Sequence, residues 1–128
     1  MPLHKCASGG ELARIMLALK VNLNDNNLTL IFDEIDTGIS GATASAVGER
    51  LARLGENNQT LVITHSPQVA GCGKHHYRVM KEDVENATIT SVQKLMPTER
   101  VEEVARLLSG AHITEAARTT AKELLGRI

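Results

Sequence analysis

Leu28-Thr29-Leu30-Ile31-Phe32-Asp33-Glu34-Ile35-Asp36-Thr37-Gly38 is the stretch on which the fold turns. Apolar and β-favouring residues run from Leu28 to Phe32 straight into two adjacent carboxylates. A continuous run of this kind predicts a strand buried on both faces, as in a parallel sheet. Parallel strands carry their functional residues at the carboxyl end, where the sheet opens into a crevice, and Asp33 and Glu34 stand at that end. Two carboxylates beside a buried strand are costly unless a metal, a donor or a chemical role offsets the lost water. Taken alone, the stretch leaves two readings level: an acidic turn closing a strand, or a site in which Asp33 helps hold Mg²⁺ and Glu34 handles a water.

The flanks supply the rest of an α/β pattern. Upstream, Ser8-Gly9-Gly10-Glu11 has the spacing of a capping box and opens a helix predicted to run to about Asn22. Leu12, Ile15, Met16, Leu19 and Leu23 recur there at helical spacing, and Leu17, Ala18 and Val21 widen the apolar face. This helix is expected to be well buried. Downstream, a helix from about Ala42 to Leu54 presents Ala44, Val47, Leu51 and Leu54 on one face, and Gln59 to Thr64 reads as a second buried strand. Strand, helix, strand over this length is a βαβ unit with a parallel pair. His65-Ser66-Pro67 leads into a short helical segment. Two alternating runs, His75 to Lys81 and Thr88 to Leu95, predict a hairpin with Glu82 to Ala87 as the connection. A helix opened by Pro97-Thr98 turns Val101, Val104, Ala105 and Leu108 inward, with Glu102 and Arg106 as a favourable pair four residues apart. Gly110 ends it, and Thr114 can cap a last helix with Ala117, Ala121, Leu124 and Ile128 on one side.

Composition bounds the function. The 128 residues fit one domain, spanning 1–128, long enough to bury roughly two-thirds of the unfolded surface. There is one Phe, one Tyr and no Trp, so the aromatic platforms that bind single strands by stacking are nearly absent. The 14 basic and 15 acidic residues leave a net charge of −1, and no overall basic field draws a phosphate backbone. Cys6 and Cys72 make neither metal-ligand spacing nor a disulfide framework and read as reduced thiols of a cytoplasmic protein. No apolar run reaches the length of a membrane span, and no secretory signal is visible.

Three short features fall in chain order: Ser8-Gly9-Gly10-Glu11, then Asp33-Glu34 with Asp36 behind an apolar strand, then Thr64-His65 behind a second one. Each alone is weak. Together they resemble the second half of an ATP-binding cassette ATPase head, and in particular the bacterial DNA-repair branch of the proteins similar to structural-maintenance-of-chromosomes ATPases. The resemblance also rests on Pro2-Leu3-His4-Lys5, on Ala7 to Leu19, on Ile31 to Gly41 and on Thr64 to Ala70, and is weakest from Asp83 to Thr90. It implies the C-terminal half of a P-loop ATPase head, with a parallel sheet core, flanking helices and a small hairpin. By this resemblance Ser8, Gly9, Gly10 and Glu11 are the signature motif that meets ATP held by a second head of a homodimer. Asp33 holds Mg²⁺ through water, Glu34 is the catalytic base, His65 is the switch histidine, and Asp36 reaches across the dimer interface. ATP and Mg²⁺ are the implied cofactors, DNA is a partner of the complete protein in the nucleoid, and no membrane is involved.

Physical chemistry suits these assignments. A helix N-terminus offers free amides and the positive end of a dipole to an anion, and glycines let backbone approach it closely. The departure from the family pattern is that no Gly-x-x-x-x-Gly-Lys-[Ser/Thr] loop occurs. The phosphate-cradling lobe and the coiled coil are expected in sequence before Met1. Two rivals stand beside this reading. One is a non-catalytic interaction fragment of the same fold. The other is an aspartic protease built on Asp36-Thr37-Gly38, whose paired carboxylates would share a proton; such enzymes are nearly all β, and they leave Asp33 and Glu34 without a task.

Overall fold

The computed structural model of the chain describes residues 9–23 and 27–126. Chain order is α1 (Gly9–Leu23), β1 (Thr29–Asp33), α2 (Gly41–Leu54), β2 (Gln59–Ile63), α3 (Pro67–Cys72), β3 (Tyr77–Val84), β4 (Ala87–Lys94), α4 (Pro97–Ser109) and α5 (Glu115–Leu125). The architecture is mixed α/β, and among the described residues no helix is long and apolar enough to cross a membrane. The expected βαβ unit is present: β1 and β2 pair in parallel, from Thr29 opposite Gln59 to Asp33 opposite Ile63. The hairpin forms a separate antiparallel sheet.

One core lies under the parallel pair. Leu17 of α1, Phe32 and Ile35 from β1 and its turn, Val47, Leu51 and Leu54 of α2 and Val69 of α3 are buried together. A second core joins α4 to α5 through Val104, Ala105, Ala117 and Ala121. Arg100 of α4 ties this unit to the end of α3 by donating from Nη2 to the carbonyls of Ala70, Gly71 and Gly73. Capping follows the local chemistry. Ser66 Oγ accepts from Val69 N with Pro67 at the first helical position. Thr114 Oγ1 accepts from Ala117 N, as expected. Gly110, at φ 78°, closes α4 in the left-handed region.

Four expectations are corrected. β1 is not buried on both faces. Its inner face carries buried Phe32, but Ile31 on the outer face is 67% exposed, as are Leu61 and Ile63 of β2 at about half. In α1 the buried side is Leu17 with Ala13 and Val21 packed near it, while Ile15, Met16 and Leu19 are exposed. The apolar pattern was wide enough for two faces, and the described residues cover only one. The hairpin connection is a two-residue turn at Glu85-Asn86, both at positive φ, because the ladder continues through the polar residues Glu82 and Asp83. Finally, Arg106 pairs with Glu103 rather than Glu102, and Glu102 pairs across to Arg118 of α5. The capping box at Ser8 and the positions of His4 and Cys6 lie outside the described residues.

Two predictions follow from burial and charge. Each strand of the parallel pair has one edge unpaired among the described residues, next to a bare apolar face. Unpaired edges of this kind template association, so the 128-residue polypeptide in isolation is expected to self-associate or melt at low temperature. Light scattering showing a clean monomer with a sharp, high-temperature melt would oppose this. The second concerns Glu103, which is 5% exposed and accepts from Arg106 Nε at 3.1 Å, with Arg78 also close. The hydrogen bond from Arg106 holds its carboxyl below the ordinary 4.5 despite burial. A depressed folded value means that the stabilisation is full above that ordinary value and is lost as pH falls below it. Urea midpoints taken downward from pH 5 should therefore fall less steeply for Glu103→Gln than for the native chain.

Candidate functional site

The carboxyl ends of β1 and β2 lie side by side, as a parallel pair requires, so the residues that follow each strand emerge at the same edge. Asp33 is the last residue of β1, is exposed, and stands opposite Ile63. Glu34 then takes φ 59°, a left-handed conformation that costs a residue with a side chain roughly 1–2 kcal/mol. Such strain persists only where the surroundings enforce it, and it clusters at functional sites. Here the enforcing contacts are visible: the Glu34 carbonyl accepts from Thr37 N at 3.1 Å and the Asp36 carbonyl from Ile39 N at 3.3 Å. The chain thereby reverses within four residues and throws the Glu34 side chain into solvent.

The first turn of α1 seats directly on this reversal. Gly10 is buried, and a Cβ there would lie 2.9 Å from the Glu34 carbonyl oxygen and 3.0 Å from Thr37 Cβ. One helical turn further on, Arg14 Nη1 donates to the carbonyls of Ile35 at 3.0 Å and Thr37 at 2.9 Å. Gly9 is exposed, with open space where its Cβ would be. The close seat makes a testable asymmetry. Gly10→Ala should destabilise the chain by about 1–3 kcal/mol, the usual cost of overpacking, although alanine favours a helix by nearly 1 kcal/mol. Gly9→Ala meets nothing and should be neutral or stabilising. Parallel thermal melts of the two variants decide it, and equal behaviour would mean that the helix does not seat there.

Asp36 joins the turn to the loop that leaves β2. Its Oδ2 accepts from Thr64 Oγ1 at 2.7 Å, His65 N at 3.1 Å and Ser66 N at 3.0 Å. His65 itself is exposed. The structure thus connects Gly10, Glu34, Asp36 and His65 through backbone and carboxylate contacts, with Gly9 and Asp33 beside them in sequence. Ser8 lies outside the described residues, and Glu11 is exposed on the first turn of α1. His112 is also exposed, away from these residues in sequence.

Asp33, Glu34 and His65 are all exposed at this edge. A cavity of about 560 Å³ lies at the base of the hairpin, lined by Lys74, His76, Lys94, Arg100 and Lys122 among others, and by none of the site residues. Burial, aided by the neighbouring Arg100, lowers the His76 pKa there. No cluster of three or more His, Cys, Asp or Glu side chains is placed to hold a metal among the described residues. Asp33 offers one hard oxygen ligand, the donor type Mg²⁺ takes when substrate phosphates complete its shell. Sequence reasoning missed Arg14, Thr64 and Ser66. Arg14 had a signal: a cation in the first turns of a helix opposes the dipole, which calls for a compensating acceptor.

Fold and site together define an α/β unit whose polar residues gather at the carboxyl ends of parallel strands, against the N-terminus of a helix. No protein-family model matches the chain. Its sequence matches the C-terminal region of the DNA repair protein RecN over nearly its whole length. It is 50% identical over 126 residues to RecN of Vibrio cholerae and 52% identical over 126 residues to RecN of Haemophilus influenzae, in both cases 97% of this chain and 23% of the relative. RecN of Deinococcus radiodurans is 48% identical over 124 residues, 97% of this chain and 22% of the relative. The chain therefore spans about a quarter of the length of the curated relatives it matches.

Proposed function

We propose that this chain is the C-terminal part of a RecN-like, ATP-binding cassette ATPase head acting in the repair and recombination of DNA double-strand breaks in the bacterial cytoplasm. Ser8, Gly9, Gly10 and Glu11 would form the signature motif facing ATP on a second head, with the backbone amides of α1 and its dipole meeting the terminal phosphate. The open space where a Cβ of Gly9 would lie suits that approach. Asp33 would hold Mg²⁺ through a water, and the metal would neutralise charge on the phosphates when bound. Glu34 would orient the attacking water and take its proton, and His65 would hydrogen-bond the terminal phosphate in its own head. The turn carrying Asp36 would face the second head. Phosphoryl transfer depends on positioning and electrostatics more than on covalent chemistry, so the residues act only as an assembled set.

The observation that supports this best is the seating of Gly10 on the Glu34 carbonyl, which couples the first turn of α1 to the turn after β1. The exposed outer face of β1 and β2 supports an N-terminal lobe as a further partner, supplying the Walker A loop and sheet neighbours. Reconstitution is the test. The 128-residue chain is combined in trans with the remaining portion of a RecN relative, and Mg-ATP hydrolysis is measured for each part and for the mixture. Turnover in the mixture alone is expected. A mixture that forms a complex yet hydrolyses nothing would count against the reading.

A further inference from the structure

The segment Thr64–Ser66 hangs on one oxygen. Three donors converge on Asp36 Oδ2: the Thr64 hydroxyl and the backbone N–H groups of His65 and Ser66. Successive amides aimed at one anion form a concave nest, and bonds to an ionised acceptor are about twice as strong as neutral ones. The members also fix one another. Thr64 Oγ1 donates to Asp36 and accepts from Ser66 N at 2.9 Å, while Ser66 Oγ caps α3 through Val69 N. Asp36 is pinned from behind by Arg14, which bonds the carbonyls of the residues on either side of it. His65 is exposed, and this carboxylate holds the backbone from which its side chain projects.

We propose that Asp36 is a positioning residue acting within its own chain: it latches the loop after β2 to the turn after β1, fixing His65 relative to Glu34. The Oδ2 oxygen is turned inward to this task, which differs from reaching across to a second head. What His65 does there rests on the ATPase reading, whereas the latch rests on the hydrogen bonds alone.

Hydrogen exchange followed by mass spectrometry on the 128-residue chain tests the latch directly, and it tolerates self-association. In Asp36→Ala, residues 64–66 should exchange at least tenfold faster while β1 and α2 keep their rates. Asp36→Asn, which keeps an oxygen in place, should recover most of that protection, and Thr64→Val should fall between. Unchanged exchange at 64–66 in Asp36→Ala, or the same global loosening in Ala and Asn variants, overturns the proposal. Should Asp36→Ala fail to fold, Thr64→Val decides alone: local acceleration supports the latch and none refutes it. In a complete RecN-type head, Asp36→Ala should lower kcat at least tenfold with the KM for ATP within twofold, and Asn should restore turnover. A native head with no ATPase at all would refute the ATPase reading and leave the exchange result standing on the latch.

Discussion

Exchanging Glu34 for Gln in a complete RecN-type head is expected to cut ATP hydrolysis at least tenfold while ATP still binds and the heads still pair. General acid–base groups are worth roughly 10²–10⁴-fold, and Gln keeps the size and the hydrogen-bonding reach of Glu but cannot take the proton. The local structure should survive the change. What Glu34 contributes to the fold is backbone: its left-handed φ, its carbonyl accepting from Thr37 N, and its seat under Gly10. The side chain is exposed, and substitutions at such positions usually move stability by less than about 0.5 kcal/mol. Single-turnover hydrolysis alongside nucleotide-binding titration separates the outcomes. Near-normal turnover would show that another residue handles the water, and lost binding would show that Glu34 holds nucleotide instead of acting on it.

Much of the fold was legible because two periodicities are strong in this sequence. The run into Asp33 and the run from Gln59 to Ile63 are short, rich in β-formers and bounded by turn residues, which favours strands, the apolar residues of α2 recur on one face, and the parallel pairing of β1 with β2 follows from the helix between them. Periodicity reports which residues avoid water, not what covers them. Ile31, Ile15 and Met16 have the pattern of core residues and stand exposed, since the described part of the chain puts nothing over that side. The hairpin turn was misjudged for the opposite reason: Glu82 and Asp83 look like loop by polarity, but backbone pairing carries the ladder to Val84 opposite Ala87. At the site, the adjacency of Asp33 and Glu34 was conspicuous because paired carboxylates after an apolar run are costly. Thr64 gave no sign of its role, because it acts on a partner more than twenty residues away in sequence through a hydroxyl that a threonine shows anywhere; Arg14 signalled the need for an acceptor but not that the carbonyls of Ile35 and Thr37 would supply it.

Alone, the 128-residue chain is expected to hydrolyse no ATP and to bind it no more tightly than millimolar, a free energy of roughly −4 kcal/mol at best. Nucleotide affinity in P-loop enzymes rests on the backbone cradle and lysine of the Walker A loop, and no such motif occurs in this sequence. What the chain does offer adds little by itself. Asp33 is one exposed carboxylate, and Mg²⁺ binds through one or two carboxylates only when phosphates supply further oxygens. The first turn of α1 can attract an anion, but a surface helix terminus contributes on the order of 0.3–1 kcal/mol. That is far below the roughly 8 kcal/mol that micromolar binding requires. The His65 loop is held in place by Asp36, and in the composite site proposed above another lobe would have to present the phosphate it meets. Isothermal calorimetry of Mg-ATP against the 128-residue chain, with a coupled hydrolysis assay, is the direct measurement. Micromolar binding would require a nucleotide site that neither the strand ends nor α1 provides, and it would overturn the assignment of this chain as half of a composite site.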